Sequence, residues 1–228
     1  ADVLERFARE QLPAPHLVQA DVARDEDTAA LLEGMHARHE SVYAFISNVS
    51  MALVTKSLED YDKRALFKSI EYSAWPMYAY TAAIKKAFGR YPRYVVALSS
   101  GGPDHFYRNY DFIGASKALM ETLCRYMNYR LYDEDVRINV VRSRLVITES
   151  LKATFGEEFI EFASKLNLER QFVGVDEVAS AIFGLCSGLM DGVSGQVIMV
   201  DRGGTFSDNL MGLYEERDFL RLFPEGDQ

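Results

Sequence analysis

The sequence is poor in cysteine, proline and tryptophan. Its 228 residues include two cysteines, six prolines and one tryptophan. Two cysteines cannot build a disulfide framework, and Cys124 and Cys186 both lie in apolar, helix-patterned surroundings. We therefore expect buried free thiols, as in a reducing, cytoplasmic compartment. No apolar run reaches the roughly 18 residues of a bilayer-spanning helix, and no signal-peptide pattern is visible, so we expect a soluble protein without a membrane partner.

Positive charge is also scarce. Acidic residues outnumber Lys and Arg by 34 to 25, which gives a formal net charge of −9. Such a chain repels nucleic-acid phosphates, so no nucleic-acid partner is expected. Separately, we expect no metal site. A modest basic cluster lies at Lys85, Lys86, Arg90 and Arg93. We interpret it as a solvated helix end, although an acidic carrier protein would need a patch of this kind.

Short apolar segments alternate with helical patterns along the whole chain, and the apolar content of 48% is ample for a core. Strands are predicted over 16–22, 42–46, 94–98, 137–141 and 196–200. Helices are predicted over 1–10, 25–39, 63–88, 110–131, 149–168 and 176–188, with an interruption near Pro76. This alternation predicts an α/β fold, a parallel sheet covered by helices on both faces.

Hydroxyl groups at a strand end and a Tyr/Lys pair form the candidate site. The strand over 94–98 leads into Ser99 and Ser100, Tyr110 enters the next helix, and Lys117 follows seven residues later. Seven steps of about 100° come within about 20° of two turns, so Tyr110 and Lys117 share a face roughly 10 Å apart along the axis. A nearby ammonium lowers the pKa of a phenol. The set predicts proton delivery for reduction of a carbonyl or a conjugated thioester. The plain alternative is a packing tyrosine and a surface lysine.

Further landmarks, in a fixed order, carry a family resemblance. Besides the Tyr/Lys pair they are Asp21-Val22, Val136-Arg-Ile-Asn-Val-Val141 and Gly195-Gln-Val-Ile-Met-Val-Asp-Arg-Gly-Gly204. Together they resemble the short-chain dehydrogenase/reductase superfamily. Most members of this superfamily place the tyrosine four residues before the lysine, but that position is Ile113 here. The seven-residue spacing of Tyr110 and Lys117 is most similar to that of the enoyl-acyl-carrier-protein reductases. The resemblance spans residues 1–228 as one domain and implies a Rossmann-like, doubly wound sheet.

The resemblance also implies roles for individual residues. Tyr110, with Ser100 and Ser99 beside it, would bind the carbonyl or enolate oxygen of the substrate, and Lys117 would hold the ribose of NADH or NADPH. Four further residues would contact the cofactor: Asp21 and Val22 at the adenine, Asn48 along the groove and Thr148 at the carboxamide. The implied substrate is an enoyl or β-ketoacyl thioester of the fatty-acid or polyketide kind, carried in some systems by an acyl carrier protein.

Two segments have implied roles outside the catalytic group. Residues 149–173 would form a substrate lid. Residues 207–228 would form a C-terminal tail that caps a neighbouring subunit in a homodimer or homotetramer.

Several positions depart from the family pattern. Ser100 stands where enoyl reductases usually carry a second tyrosine, and Ser50 and Arg144-Leu145 replace glycine-containing turns beside the cofactor. Glu71 stands where an asparagine often completes the proton relay, and it is equally readable as a solvated helix glutamate. These departures keep a second hypothesis open: a reductase-derived protein that binds no cofactor and acts as a structural partner or as a non-redox isomerase or dehydratase.

The largest departure concerns the first β-α-β unit. Nothing before His16 supplies the Gly-rich loop that cradles a pyrophosphate at a helix N-terminus. Three explanations are open: residues further upstream in the natural protein, direct closure of the strand at 16–22 onto the strand at 42–46, or a partner chain that supplies the unit.

Overall fold

A computed structural model describes residues 2–51, 53–164, 172–206, 208–215 and 217. Within these ranges the strands form one parallel four-stranded sheet in the order β1-β2-β3-β4. The strands are β1 (Ala44–Ser47), β2 (Tyr94–Ser100), β3 (Arg137–Ser143) and β4 (Val197–Val200). The predicted α/β class and the Rossmann-like parallel sheet are confirmed.

Helices connect the strands and flank the sheet. Those described are α1 (Asp2–Arg9), α2 (Asp25–His36), α3 (Lys63–Ser73), α4 (Trp75–Phe88), α5 (Asp111–Arg130), α6 (Glu149–Phe155), α7 (Glu157–Ser164), α8 (Val175–Cys186) and α9 (Asn209–Glu215). No helix in the described ranges combines the length and apolarity that crossing a membrane requires.

The core follows from the two-residue alternation of the central strand β2. Val95 and Ala97 belong to a buried cluster with Met120 of α5 and Met77 of α4. Val96, one residue out of phase, packs with α8 on the other face. Because successive strand side chains point to opposite faces, an unbroken apolar strand must be covered on both sides.

The long helix predicted over 63–88 is two helices separated at Ala74. Asp62 begins α3 by accepting a hydrogen bond from the Ala65 amide at 2.8 Å. Pro76 lies in the first turn of α4, where its missing N–H leaves no helical bond unmade. The predicted interruption near Pro76 is therefore confirmed, with the proline starting the second helix.

The helix predicted over 149–168 also divides in two. Gly156 ends α6 with a positive φ of 86°, a conformation that favours glycine, and α7 begins at the next residue. Residues 165–171 of the predicted lid lie outside the described residues, as do 207, 216 and 218–228 of the predicted tail.

The strand predicted over 16–22 is wrong. This segment forms no strand in the structure and Val22 lies in a turn, whereas β1, at the edge of the sheet, pairs with β2. A strand needs a neighbouring backbone to take its hydrogen bonds, and the described residues place none beside this segment. Direct closure of 16–22 onto β1 is wrong for the same reason. Side chains hold the segment instead: the Tyr72 hydroxyl donates to Asp21 Oδ2 at 3.0 Å, and the Asp21 amide donates to Asp27 Oδ2 at 2.8 Å.

The two cysteines are free thiols, as expected. Cys124 is buried against the sheet, and burial raises its pKa to about 12. Cys186 is only half-buried, so the expectation of two buried thiols holds for Cys124 alone.

Candidate active site

Ser100 and Tyr110 meet at the carboxyl end of β2. The Tyr110 hydroxyl donates to Ser100 Oγ at 3.0 Å. Tyr110 immediately precedes α5, and its ring lies against Gly102, where a Cβ atom would stand 2.8 Å from the ring. Glycine at this position therefore allows the loop after β2 to pass close to the tyrosine. The predicted meeting of a strand-end serine with a helix-start tyrosine is present.

Lys117 lies on the same helix and reaches the same strand end. Its side chain is buried at 6% exposure, and Nζ donates to the Leu98 carbonyl oxygen at 2.7 Å. Burial lowers the pKa of Lys117 to about 8, partly opposed by the nearby charge of Glu121. The lysine is thus no surface residue: its charge is held inside the protein, at the Leu98 carbonyl, two residues before Ser100 in β2.

The expectation that Lys117 lowers the pKa of Tyr110 is wrong. Burial raises the pKa of this phenol above its usual value, and the hydrogen bond with Ser100 only partly opposes that effect. The physical reason is the path of the lysine side chain, whose ammonium bonds to the Leu98 carbonyl. Tyr110 is therefore a neutral phenol at neutral pH, which suits a hydrogen-bond and proton donor.

Ser99, which the sequence grouped with Ser100, belongs to a different cluster. Its hydroxyl donates to Glu121 Oε1 at 2.6 Å, and Arg142 Nε donates to the same oxygen at 2.8 Å. Arg142 also pairs with Asp104 in the loop after β2. Adjacent strand residues point to opposite faces, so Ser99 and Ser100 cannot both face Tyr110. Sequence reasoning missed the buried Arg142–Glu121 pair.

The residues proposed for the adenine lie at a separate cleft. Asp21 and Val22, with Gln19, Val49 and Tyr72, line a space of about 660 Å³. The Asp21 carboxylate accepts hydrogen bonds from the Ala23 amide and from Tyr72, both at 3.0 Å, so it is already oriented. An oriented carboxylate beside an open cleft fits an amino group such as that of adenine.

The other proposed cofactor residues occupy strand and helix ends. Asn48 directly follows β1 and is exposed. The Thr148 hydroxyl oxygen accepts from the Leu151 amide at 3.1 Å and caps α6, so it has a structural task as well. Ligands of open α/β sheets bind outside the carboxyl ends of the strands, which is where Asn48, Ser100 and Tyr110 lie.

The side chains that the sequence assigns to the two ends of a dinucleotide therefore lie in two places, at the Asp21 cleft and at the strand ends. A backbone cradle for its phosphates is not seen in the described residues, because the single glycine ahead of β1, Gly34, lies inside α2.

The residues that depart from the family pattern have local partners. Ser50 Oγ lies 3.0 Å from Ser73 Oγ, and the Arg144 amide donates to the Val200 carbonyl oxygen at 3.2 Å. Leu145 forms a parallel bridge with Phe172. Glu71 is exposed on α3, as a solvated helix glutamate would be.

Aromatic rings cover Tyr110. Phe155, at the end of α6, stacks on the Tyr110 ring with centroids 6.0 Å apart and planes 21° apart. Phe159 follows at 5.2 Å from Phe155. Tyr107 meets the Tyr110 ring edge-on at 5.7 Å. The sequence did not single out Tyr107, and an aromatic residue three positions before the candidate tyrosine was the available signal.

Comparison with known proteins gives consistent matches. A family model for enoyl-(acyl carrier protein) reductase matches residues 2–205. The enoyl-acyl-carrier-protein reductase (NADH) of Enterococcus faecalis is 22% identical, over 82% of this chain and 76% of its own length. The 1-cyclohexenylcarbonyl-CoA reductase of Streptomyces collinus is 27% identical, over 82% of this chain and 67% of its own.

A solved structure shows the same fold. The crystal structure of the enoyl-acyl-carrier-protein reductase (NADH) of Aquifex aeolicus superposes with a TM-score of 0.77 at 22% identity, covering 89% of this chain and 82% of the other.

Proposed function

The chain belongs to the enoyl-(acyl carrier protein) reductase family, and we propose that it reduces the carbon–carbon double bond of an enoyl thioester with a nicotinamide cofactor. The observation that carries the proposal is the hydrogen bond of 3.0 Å between the Tyr110 hydroxyl and Ser100 Oγ. It places a neutral phenol at the strand ends, where a thioester carbonyl would dock.

Tyr110 acts on the oxygen of the substrate. The reduction adds a hydride to the β-carbon and a proton to the α-carbon, and negative charge collects on the thioester oxygen in between. A reduced nicotinamide supplies the hydride when bound. With substrate bound, the single phenol proton of Tyr110 turns from Ser100 Oγ to the charged oxygen, and the Ser100 hydroxyl then donates its own proton to the phenol oxygen and orients it. The raised pKa of Tyr110 keeps its proton in place for this task.

Lys117 contributes a positive charge whose position is fixed by a hydrogen bond. Its ammonium, fixed by the Leu98 carbonyl at 2.7 Å, would bind the ribose hydroxyls of the cofactor. Asp21 and Val22 would contact the adenine. Asn48 would line the cofactor groove, and Thr148 would contact the carboxamide of the nicotinamide. Relatives are named as users of either cofactor: NADH in Enterococcus faecalis and NADPH in Staphylococcus aureus. We propose NADH or NADPH without choosing between them.

The acyl chain would lie under the aromatic cover. Phe155 stacks on Tyr110 and contacts Phe159, so α6 and α7 bring an apolar surface to the reacting group. We propose residues 149–173 as the substrate lid on this ground. Fatty-acid thioesters, including those on an acyl carrier protein, have the long apolar chain that such a surface would bury.

Two residues of the basic cluster already have acidic partners within this protein. Lys85 pairs with Glu134, and Arg93 pairs with Asp191.

A β-ketoacyl thioester, of the fatty-acid or polyketide kind, is a second candidate substrate. The Ser100–Tyr110 bond favours it, because two linked hydroxyls can polarise a ketone oxygen as readily as a thioester oxygen. Parallel assays with crotonyl-CoA and acetoacetyl-CoA, followed by loss of nicotinamide absorbance, separate the two substrates.

A function without hydride transfer is favoured by one observation. The described residues ahead of β1 contain no glycine-rich turn to hold a pyrophosphate. A protein of this second kind would use Tyr110 and the buried Lys117 for isomerisation or dehydration of a thioester, or would act as a structural partner. It would bind neither NADH nor NADPH.

Location and assembly are proposed on lesser grounds. Free thiols at Cys124 and Cys186 suit a reducing cytoplasm. The outer face of α5 exposes Leu119 and Tyr126, at 37% and 67%, and we propose that such a face packs against a second copy in a homodimer or homotetramer.

The test of the proposed function uses the full-length natural protein. Crotonyl-CoA with NADH or NADPH is expected to give butyryl-CoA and oxidised cofactor in equal amounts. Absence of turnover with both cofactors and with both thioesters would contradict the proposal.

A further inference from the structure

A second phenol lies at the candidate site. Tyr107 meets the Tyr110 ring edge-on, with centroids 5.7 Å apart and planes 83° apart. Its ring also meets Phe155 at 6.1 Å. Tyr107 is thus enclosed by the same aromatic group that covers Tyr110, although it stands in the loop before α5.

The Tyr107 hydroxyl points back to the end of β2. A Cβ atom on Gly101 would stand 2.5 Å from the hydroxyl oxygen, so the absence of a side chain at Gly101 leaves the phenol its place. Gly101 directly follows Ser100, which is bonded to the Tyr110 hydroxyl at 3.0 Å. The Tyr110 hydroxyl therefore lies beside Ser100, the last residue of β2, and the Tyr107 hydroxyl lies beside Gly101, the first residue of the bend that follows, where the alternation of strand side chains has ended.

The Tyr107 hydroxyl has no hydrogen-bond partner in the part of the chain that the structure describes, whereas the Tyr110 hydroxyl bonds to Ser100. Every fully buried side-chain oxygen and nitrogen among these residues has a partner, so the Tyr107 hydroxyl is open to solvent. A half-buried ring with an open hydroxyl is suited to receive a ligand atom.

The charges around Tyr107 favour an anionic oxygen there. Burial raises the pKa of Tyr107, while the positive charges of Arg144 and Arg142 act in the opposite direction. The phenol therefore keeps its proton at neutral pH and can donate. Arg144, the larger of these two effects, would stabilise negative charge on an oxygen that accepts from Tyr107, whereas the charge of Arg142 is balanced by Glu121 and Asp104.

We propose that Tyr107 donates a second hydrogen bond to the substrate oxygen that Tyr110 binds. This inference rests on the proposed function. Tyr107 and Tyr110 then form a two-phenol oxyanion site, with Ser100 orienting one phenol and Gly101 leaving room for the other. Loss of one donor from such a site typically lowers kcat by about 10²–10³-fold, and a half-exposed donor is expected to contribute at least about tenfold.

The experiment compares Tyr107→Phe with the wild-type protein. The substitution removes one oxygen and keeps the ring contacts with Tyr110 and Phe155. With crotonyl-CoA, kcat is expected to fall by about tenfold or more, whereas the Kd for cofactor stays unchanged. The thermal unfolding midpoint is also expected to stay unchanged, because the hydroxyl bonds to none of the described residues. Tyr132→Phe, at an 82% exposed tyrosine after α5, is the matched control and should leave kcat unaltered.

Gly101→Ala gives an independent check. The added methyl group occupies the position 2.5 Å from the Tyr107 hydroxyl oxygen and must displace it, so a similar loss of kcat is expected with Tyr107 intact.

Two results would overturn the inference while leaving the proposed function standing. One is an active wild-type enzyme with full kcat in Tyr107→Phe. The other is a fall in kcat that is matched by a fall in the unfolding midpoint, since that would mark a structural role. A wild-type protein that binds neither cofactor and turns over neither thioester would remove the proposed function, and this inference with it.

Discussion

The Tyr110 hydroxyl donates a hydrogen bond to Ser100 Oγ at 3.0 Å, although ten residues separate the two in the chain. The loop between them makes this possible by passing Gly102 close to the tyrosine ring. Burial of the phenol raises its pKa, so the pair presents a protonated donor at the carboxyl end of β2. The proposed reduction depends on that donor.

Replacing the phenol hydroxyl tests the donor directly. Tyr110→Phe is expected to lower kcat for crotonyl-CoA by about 10²-fold or more, because general acid catalysis typically contributes 10²–10⁴-fold. Ser100→Ala, which removes only the orienting partner, is expected to cost about tenfold or less. Steady-state kinetics of the two variants check the order of these effects. Equal rates for Tyr110→Phe and wild type would mean that Tyr110 serves only in packing.

The pH dependence of cofactor binding tests Lys117. Its pKa of about 8 leaves it charged below that pH and neutral above it. If the ammonium binds the ribose, affinity for the cofactor should fall as the pH rises through about 8. Fluorescence titration with NADH and NADPH between pH 7 and pH 9, on the order of one unit either side of this pKa, measures the effect.

Lys117→Met is the control for this pH effect. The methionine side chain has a similar length and no charge. The affinity of this variant for the cofactor is therefore expected to be low and to show no step near pH 8. A step of the same size in Lys117→Met would assign the titration to another group.

The buried Arg142–Glu121 pair makes a prediction about stability. Both side chains are almost fully buried, at 8% and 5% exposure, and Glu121 also accepts from Ser99. Glu121→Gln leaves the guanidinium without its buried counter-charge and is expected to lower the free energy of unfolding by about 3 kcal/mol. Urea denaturation measures the loss.

An exposed ion pair provides the comparison. Glu10 pairs with Arg6 on α1 at 3.0 Å, with side-chain exposures of 43% and 62%. Glu10→Gln should change the free energy of unfolding by less than about 1 kcal/mol. If both variants unfold at the same urea concentration, the buried pair has no special role in stability.

The aromatic cover predicts a dependence on acyl chain length. Phe155→Ala removes the ring stacked on Tyr110, so KM is expected to rise more for a medium-chain enoyl thioester than for crotonyl-CoA. Phe183→Ala, at a 75% exposed position of α8 outside the proposed lid, is the matched control and should change neither KM. A uniform change across chain lengths would place the acyl group elsewhere.

The sequence alone predicts much of the fold, because apolar strands and helical patterns are local signals. The segment at 16–22 shows the limit of such signals. Its pattern is strand-like, but strand formation depends on a neighbouring backbone, and none of the described strands pairs with it. The residue pattern of one segment does not indicate whether a second strand lies beside it.

The same distinction applies to the site. The sequence spacing predicts that Ser100, Tyr110 and Lys117 lie near one strand end, because strand ends and helix starts have regular geometry. The direction of the Lys117 ammonium, toward the Leu98 carbonyl, depends on the path of a flexible side chain and was not predictable. The face of Ser99 was predictable from the alternation of strand residues. The place of Tyr107 depends on the loop after β2, for which the sequence has no periodic signal.

Cofactor binding is the most direct test of the central claim, that this protein is a nicotinamide-dependent reductase. Equilibrium titration of the full-length natural protein with NADH and with NADPH, followed by nicotinamide fluorescence, needs no knowledge of the substrate. We expect saturable binding of at least one of them, weakened at least about tenfold by Lys117→Met, the loss expected when a charged hydrogen bond of about 1.5–3 kcal/mol is removed. Absence of saturable binding of both cofactors would contradict a nicotinamide-dependent reductase.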